Sequence, residues 1–151
     1  MRSDSNAGNA RNARKASTPE TQNTPLAPRE VALAIADAAL GKKANDIEII
    51  DVRGKVDYAD YVVVMSGRSD RQVNAIARGV QGDLKQQHGV RCNGVEGLPL
   101  ANWALLDFGD VIVHVFHRDT RGYYDVESLF MDAPRVPFES SQTDDSLFSV
   151  D

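Results

Sequence analysis

Two histidines in one apolar segment, His114 and His117, are the side chains most able to hold a metal ion. Imidazole nitrogens are common zinc ligands, but residues three apart on a β-strand point to opposite faces of the sheet. Cys92 is the only cysteine, and His88 is more than 20 residues away. The sequence therefore predicts no metal and no cofactor, with one ring packed and hydrogen-bonded and the other on the surface.

A second candidate for chemistry is the segment Ser66-Gly67-Arg68-Ser69, which follows an apolar strand and precedes a helix. Backbone N–H groups at such a turn can hold an anion, and nucleotidyltransferases begin with a similar segment. Their reaction also needs two carboxylates that alternate on one strand to hold magnesium. The acids that follow are scattered, and Asp107-Phe108-Gly109 is predicted to be a turn. The sequence thus favours a protein that is not an enzyme, with Ser69 as a helix cap.

The strand predicted at 102–108 has two different faces. One face is wholly apolar and is the natural core face, whereas Trp103 shares the other with Asp107. Aromatic groups bordered by acids are typical of a surface that binds a basic protein. The acids expected at this border are Asp107, Asp110, Asp125 and Glu127. The predicted contact residues are Trp103, Leu105, Asp107, Asp110, Tyr124, Leu129 and Phe130.

Composition divides the 151 residues into a folded domain at 28–138 and two tails predicted to be disordered. Residues 1–27 are rich in Asn, Ser, Thr and Pro, and residues 139–151 are acidic. The net charge of −5 disfavours general or sequence-specific binding of nucleic acid. A single cysteine suits a reducing compartment, and no apolar run suits a membrane span, so we expect a cytoplasmic protein.

The hydrophobic pattern predicts the element order α-β-β-α-β-β-β-α. Such an order is typical of a single-domain α/β sandwich, with a mixed sheet of about five strands covered by helices. Several local expectations accompany it. They are a left-handed Gly41 at the end of the first helix, Gly79 and Gly82 packed on the sheet, a turn at Asn93-Gly94, and a last helix at about 122–131.

The run WALLDFGDVIVHVFHRDTRGYYDVESLFMDAPRV at 103–136 resembles the bacterial and organellar ribosomal silencing factors, the Iojap family. A weaker match lies upstream in Asp60-Tyr61-Val62-Val63-Val64, Ser66-Gly67 and Ser69-Asp70-Arg71-Gln72-Val73. The resemblance covers roughly residues 28–138. Phe130 departs from the tryptophan that the family usually has there.

This resemblance implies a fold like that of nucleotidyltransferases without their active site, and a translation repressor rather than an enzyme. It implies docking on the large ribosomal subunit through that subunit's ribosomal protein number fourteen, which would block joining with the small subunit when nutrients run short. The implied docking surface includes Trp103 and the neighbouring Asp. Two alternatives stay open, a nucleotidyltransferase-like enzyme and a homodimeric scaffold that uses the same surface.

Overall fold

The computed structural model describes residues 25–97 and 102–138, so the predicted tails lie outside the described residues apart from 25–27. Its element order confirms the predicted α/β class, with a five-stranded mixed sheet. Along the chain, the helices and strands are α1 (Pro28–Gly41), β1 (Asn45–Asp51), β2 (Tyr61–Gly67), α2 (Asp70–His88), β3 (Gly94–Glu96), β4 (Trp103–Asp107), β5 (Val111–His117), α3 (Arg118–Tyr124) and a 3-10 helix (Val126–Phe130).

The strands lie in the order β1-β2-β5-β4-β3, and only the central pair, β2 and β5, is parallel. Every residue of β2 is buried, as its continuous apolar sequence predicts for a strand covered on both faces. The edge of β1 is covered by the end of the domain, where Asp51 N–H donates to the Pro134 carbonyl and Val136 N–H donates to the Ile49 carbonyl. This pairing protects β1 as an edge strand.

The two faces of the sheet are covered to different extents. Helices α1 and α2 pack on one face, where side chains such as Ile35, Ile76 and Leu106 are fully buried. On the other face, the segment that contains the 3-10 helix packs Val126 and Phe130 over β1 and β2. Along β4 and β5 on that face, helix α3 places Tyr124 against Trp103 and Phe116. We call this region the open face, and its residues are Trp103, Leu105, Asp107, Ile112 and His114.

Both long helices begin as the sequence predicts. Pro28 opens α1, and the Glu30 carboxylate accepts a hydrogen bond from Ala27 N–H at 2.9 Å. At the start of α2, the Ser69 hydroxyl accepts from Gln72 N–H at 3.1 Å, which confirms the predicted cap. Leu26 packs against the core, so contacts of the folded domain begin slightly before residue 28.

The end of α1 differs from the prediction for Gly41. Gly41 keeps a negative φ, and the left-handed residue is Lys43, with φ 66°. The last turn is closed by backbone hydrogen bonds from Lys42 to Ala39 and from Lys43 to Leu40, both near 3 Å. The Gln72 amide then donates to the Lys43 carbonyl at 2.9 Å. A tertiary hydrogen bond therefore holds a lysine in a conformation that glycine adopts at lower cost.

The two helix glycines do not pack on the sheet, which corrects that expectation. A Cβ at Gly79 would collide with the aliphatic chain of Lys42, whereas a Cβ at Gly82 would meet nothing within 4 Å. Gly79 thus allows close approach of the segment that follows α1. Nothing in the structure explains Gly82.

Two local predictions near the C-terminal half are also wrong. Asn93-Gly94 is not a turn, because Gly94 begins β3 and pairs with Asp107. The helix expected at 122–131 is two helices, α3 and the 3-10 helix, separated by Asp125 in the left-handed region with φ 48°. Aspartate tolerates this conformation better than most residues, and it turns the chain back across the sheet.

Candidate functional site

The open face is organised by the pairing of β4 with β5. Trp103 lies opposite Phe116, Leu105 opposite His114 and Asp107 opposite Ile112. The alternate residues of β4 point to the helix-covered side, where Ala104 and Leu106 are fully buried. This alternation confirms the two-face interpretation of the strand, with Trp103 on the side away from the main core.

Trp103 is half-buried and held by aromatic neighbours. Its ring stacks on Phe116 at 5.1 Å between centroids and lies 4.4 Å from the ring of Tyr124. Its indole N–H donates to His114 Nδ1 at 3.0 Å. Satisfying the only polar atom of the side chain leaves an apolar ring edge toward solvent, beside Leu105 and Glu96. The tryptophan is therefore a fixed anchor within the open face.

His114 is the packed, hydrogen-bonded histidine that the sequence predicts. Because its Nδ1 accepts from Trp103, the neutral ring carries its proton on Nε2. Burial lowers the pKa of His114 to about 4, with the Glu127 carboxylate opposing the shift. The ring is therefore neutral near pH 7. The hydrogen bond from the Trp103 indole uses Nδ1 of His114 as its acceptor. A charged His114 ring would carry a proton on this nitrogen and could not accept the bond.

His117 does more than lie on the surface, which corrects the second half of that prediction. Its Nδ1 accepts a hydrogen bond from Asp119 N–H at 3.1 Å and so caps the start of α3. Its ring is mostly covered. The described residues contain no group of three or more His, Cys, Asp or Glu side chains placed to hold a metal ion.

The remaining apolar candidates divide into exposed and buried residues. Tyr124 is 45% exposed and Leu129 is 74% exposed, on the two short helices beside the open face. Phe130 is only 6% exposed and packs with Val126 into the core under the 3-10 helix. Its predicted role as a direct contact is therefore corrected, because Phe130 supports the surface from beneath.

Two acids of the predicted border, Asp107 and Asp110, lie away from the tryptophan. Asp107 shares the face of Trp103 but lies four residues along the strand, roughly 13 Å away. Its carboxylate accepts from Gly109 N–H at 2.8 Å in the β4–β5 turn, where Gly109 has φ 89° as predicted for a turn. Asp110 lines a groove with Pro28 and other residues on the helix-covered side. Asp107 and Asp110 thus lie at one end of the face, whereas the Glu127 carboxylate acts on His114, the partner of the Trp103 indole.

Arg121 is the residue that sequence reasoning missed. Its guanidinium is 11% exposed and forms a 2.7 Å ion pair with Glu127. It also donates to the Ser66 hydroxyl at 2.9 Å and to the Asp46 carbonyl at 2.6 Å. One side chain therefore ties α3 and the 3-10 helix to the ends of β1 and β2. A lone arginine between aromatic and acidic residues gave no periodic signal of such a role.

These contacts bear on the enzymatic alternative. The Ser66 hydroxyl is buried and accepts a hydrogen bond from Arg121, and the Ser69 hydroxyl accepts one in the cap of α2. The Cys92 thiol donates to the Gly94 carbonyl at 3.2 Å, and burial raises its pKa, which disfavours the reactive thiolate. Among the described residues, no helix is long and apolar enough to cross a membrane.

Comparison with known proteins identifies the family. Residues 25–149 match the family described as ribosomal silencing factor during starvation. The chain is 47% identical to the ribosomal silencing factor RsfS of Bacillus subtilis over 103 residues, which are 68% of this chain and 86% of that protein. It is 38% identical to RsfS of Halalkalibacterium halodurans over 111 residues, 74% of this chain and 94% of that one.

Solved structures agree with the sequence relatives. A crystal structure of a protein from Chromobacterium violaceum has a TM-score of 0.68 and 34% identity, and the match covers 76% of this chain and 94% of that one. The family is named for silencing the ribosome, and its members are regulators of translation. The predicted resemblance is thus confirmed, and this chain belongs to the ribosomal silencing factor family.

Proposed function

We propose that this protein represses translation in the cytoplasm by binding the large ribosomal subunit and blocking its union with the small subunit. The observation that carries the proposal is the open face with its exposed neighbours. A fixed Trp103, an exposed Leu129 and a half-exposed Tyr124 form an apolar surface that no described element covers. Such aromatic anchors are typical of the energetic centre of a protein interface.

The partner of this surface is ribosomal protein number fourteen of the large subunit. The proposal follows from the family resemblance, and the chemistry of the surface supports it. Trp103 and Leu105 supply apolar contact, and Asp107 at the end of the same strand supplies a carboxylate for a lysine or arginine. Rim charges of this kind raise the rate and specificity of docking more than the affinity.

The proposed mechanism is occlusion and needs no chemical step. A bound domain that covers part of the face where the two subunits meet prevents the small subunit from reaching its contacts. The carboxylates of the described residues are scattered or paired, which supports a steric mechanism. The tails at 1–27 and 139–151 are not needed for this mechanism.

Sedimentation with purified subunits tests the proposal. The protein should pellet with the large subunit and not with the small one. Leu129→Glu places a charge on an exposed apolar contact, so it should weaken this binding by at least about 2 kcal/mol, roughly thirtyfold, without loss of fold. Tyr58→Glu is the control for an added charge, since Tyr58 is 60% exposed in the segment between β1 and β2.

Trp103→Glu should weaken binding at least as much, but it also removes the stack on Phe116 and the bond to His114. The melting temperature of this variant must therefore be measured together with its affinity for the large subunit. Failure of the wild-type protein to pellet with either subunit would contradict the proposal. A stable dimer that loses self-association on Leu129→Glu would favour the homodimeric scaffold instead.

A further inference from the structure

The charges of the domain are separated between the two ends of the sheet. At the end where β4 turns into β5, Asp57, Asp60, Asp107 and Asp110 form no ion pair with any described residue. Two cations near this end are already used, because Arg53 pairs with Asp51 and Lys55 pairs with Asp132. The negative net charge of the chain therefore does not describe the opposite end of the sheet.

Five exposed cations lie at the opposite end, where β2 and β5 finish. We call this set the basic edge, and its residues are Lys42, Lys43, Arg68, Arg71 and Arg118. The pairing of Gly67 with His117 places Arg68 and Arg118 directly after two neighbouring strands. Carboxylates lie in the same region too, among them those of Asp46, Asp70 and Asp119, and Glu96 borders Trp103. Of the five cations, only Arg118 has an ion pair with a described residue, a 3.9 Å contact with Asp119.

The basic edge is held in place by one side chain, Gln72. Its amide nitrogen donates to the Lys43 carbonyl at 2.9 Å, and its amide oxygen accepts from Arg68 N–H at 2.6 Å. Lys43 is thereby kept at φ 66°, a conformation that costs about 1 kcal/mol or more for a residue with a side chain. Two segments that carry cations are thus joined at fixed positions, and their charges are left to solvent.

The basic edge is continuous with the open face. Trp103 pairs with Phe116, which is one residue before His117 and two before Arg118. Arg118 begins α3, the helix that carries Tyr124 against the tryptophan. A partner seated on Trp103 and Tyr124 therefore has the basic edge beside it. The acids Asp107 and Asp110 lie at the far end of the same strands.

We propose that the basic edge binds the phosphate backbone of RNA in the large ribosomal subunit, while the open face docks on a ribosomal protein. This inference rests on the proposed function. Exposed guanidinium and ammonium groups on a fixed edge suit phosphate oxygens, and such contacts orient a protein without reading base sequence. The edge thus gives the domain a defined orientation on the subunit, despite its net negative charge.

A triple variant, Lys43→Ala/Arg68→Ala/Arg71→Ala, tests the proposal against purified large subunits and against isolated ribosomal protein number fourteen. The matched control is Arg78→Ala/Lys85→Ala/Arg91→Ala, which removes three exposed cations outside the edge. Binding is measured as a function of salt concentration, and thermal melting shows that each variant is folded. The salt slope is the slope of the logarithm of the binding constant against the logarithm of the salt concentration. Each lost phosphate contact should reduce the size of this slope by about one.

The triple variant should bind the large subunit about tenfold more weakly, with a salt slope smaller by two to three, while binding the isolated protein as wild type does. The control variant should match wild type in both measurements. Unchanged affinity and slope on the large subunit would overturn the inference. Equal weakening on the isolated protein would also overturn it, because the edge would then contact protein. If the wild-type protein binds no subunit, the proposed function itself fails.

Discussion

At the scale of single residues, the site depends on the partner that the Trp103 indole finds within its own chain. A tryptophan at a protein surface usually leaves its N–H to water or to a ligand. Here the N–H donates to His114, and the ring lies between Phe116 and Tyr124. The side chain is therefore ordered before any partner arrives, which reduces the entropy lost on docking.

The His114 contact predicts a dependence of stability on pH. The folded pKa of His114 is about 4 and the unfolded value is 6.5, so the unfolded chain binds more protons between these values. The contribution of His114 to stability is complete above pH 6.5 and is lost as pH falls toward 4, by up to about 3 kcal/mol.

Urea unfolding at several pH values checks this expectation. His114→Gln should flatten the dependence between pH 6.5 and 4, whereas His88→Gln, an exposed histidine, should leave it unchanged. An equal slope in wild type and His114→Gln would show that other groups cause the loss at low pH.

Part of this residue-level arrangement could be predicted from the sequence. Alternation along β4 correctly separated Trp103 from the buried Ala104 and Leu106. The contacts of the ring could not be predicted, because Phe116 and Tyr124 lie 13 and 21 positions further on and meet the tryptophan only through strand pairing and the turn into α3. The burial of Phe130 was not predicted for a related reason. A short 3-10 helix has too few residues for its buried side to be recognised in the sequence.

At the scale of elements, Arg121 is the residue that holds α3 and the 3-10 helix against the sheet. Arg121→Ala should destabilise the protein by about 3 kcal/mol or more, because it leaves Glu127 and the buried Ser66 hydroxyl without their partner. Arg118→Ala on the same helix should change stability by less than about 0.5 kcal/mol, since Arg118 is exposed.

Chemical denaturation of both variants measures the difference. Arg121→Lys should restore little of the loss, because an ammonium cannot bond Glu127, Ser66 and Asp46 in the arrangement that the guanidinium uses. A loss of less than 1 kcal/mol for Arg121→Ala would show that packing alone holds these two helices in place.

The two glycines of α2 should respond differently to substitution by alanine. Gly82→Ala adds a methyl group where nothing lies within 4 Å, so it should stabilise the protein by roughly 0.5–1 kcal/mol. Gly79→Ala should give no such gain, because the Lys42 side chain occupies the space.

A double-mutant cycle separates the helix effect from the collision. Adding Lys42→Ala to Gly79→Ala should recover most of the gain seen at Gly82, as measured by thermal melting. Stabilisation by Gly79→Ala alone, equal to that of Gly82→Ala, would contradict the packing seen here.

Element types could be predicted well, and element ends less well. The buried run of β2, the capping sequence before α2 and the Gly109 turn each combine a local residue type with a clear pattern, and all three are confirmed. The end of α1 and the break at Asp125 are set by tertiary hydrogen bonds, those of Gln72 to Lys43 and of Arg121 to the chain around it. Such bonds join distant residues and leave no local signal.

At the scale of the whole molecule, the net charge of −5 is a poor guide to the surface. At one end of the sheet lie four aspartates that form no ion pair with a described residue, and at the other lie the five exposed cations of the basic edge, with the open face between the two ends. Composition alone disfavours a general nucleic-acid binder, but it could not show that strand topology collects Arg68 and Arg118 at one edge. The arrangement suits a surface of mixed protein and RNA, on which one orientation is preferred.

The central claim is that the domain keeps the two ribosomal subunits apart. The most direct measurement mixes purified large and small subunits with increasing protein and records the fraction of joined ribosomes by sucrose-gradient sedimentation. The joined fraction should fall as the ratio of protein to large subunit rises. The Leu129→Glu variant should need roughly thirtyfold more protein for the same fall, because it docks more weakly. An undiminished joined fraction, with the protein bound to the large subunit, would contradict the account.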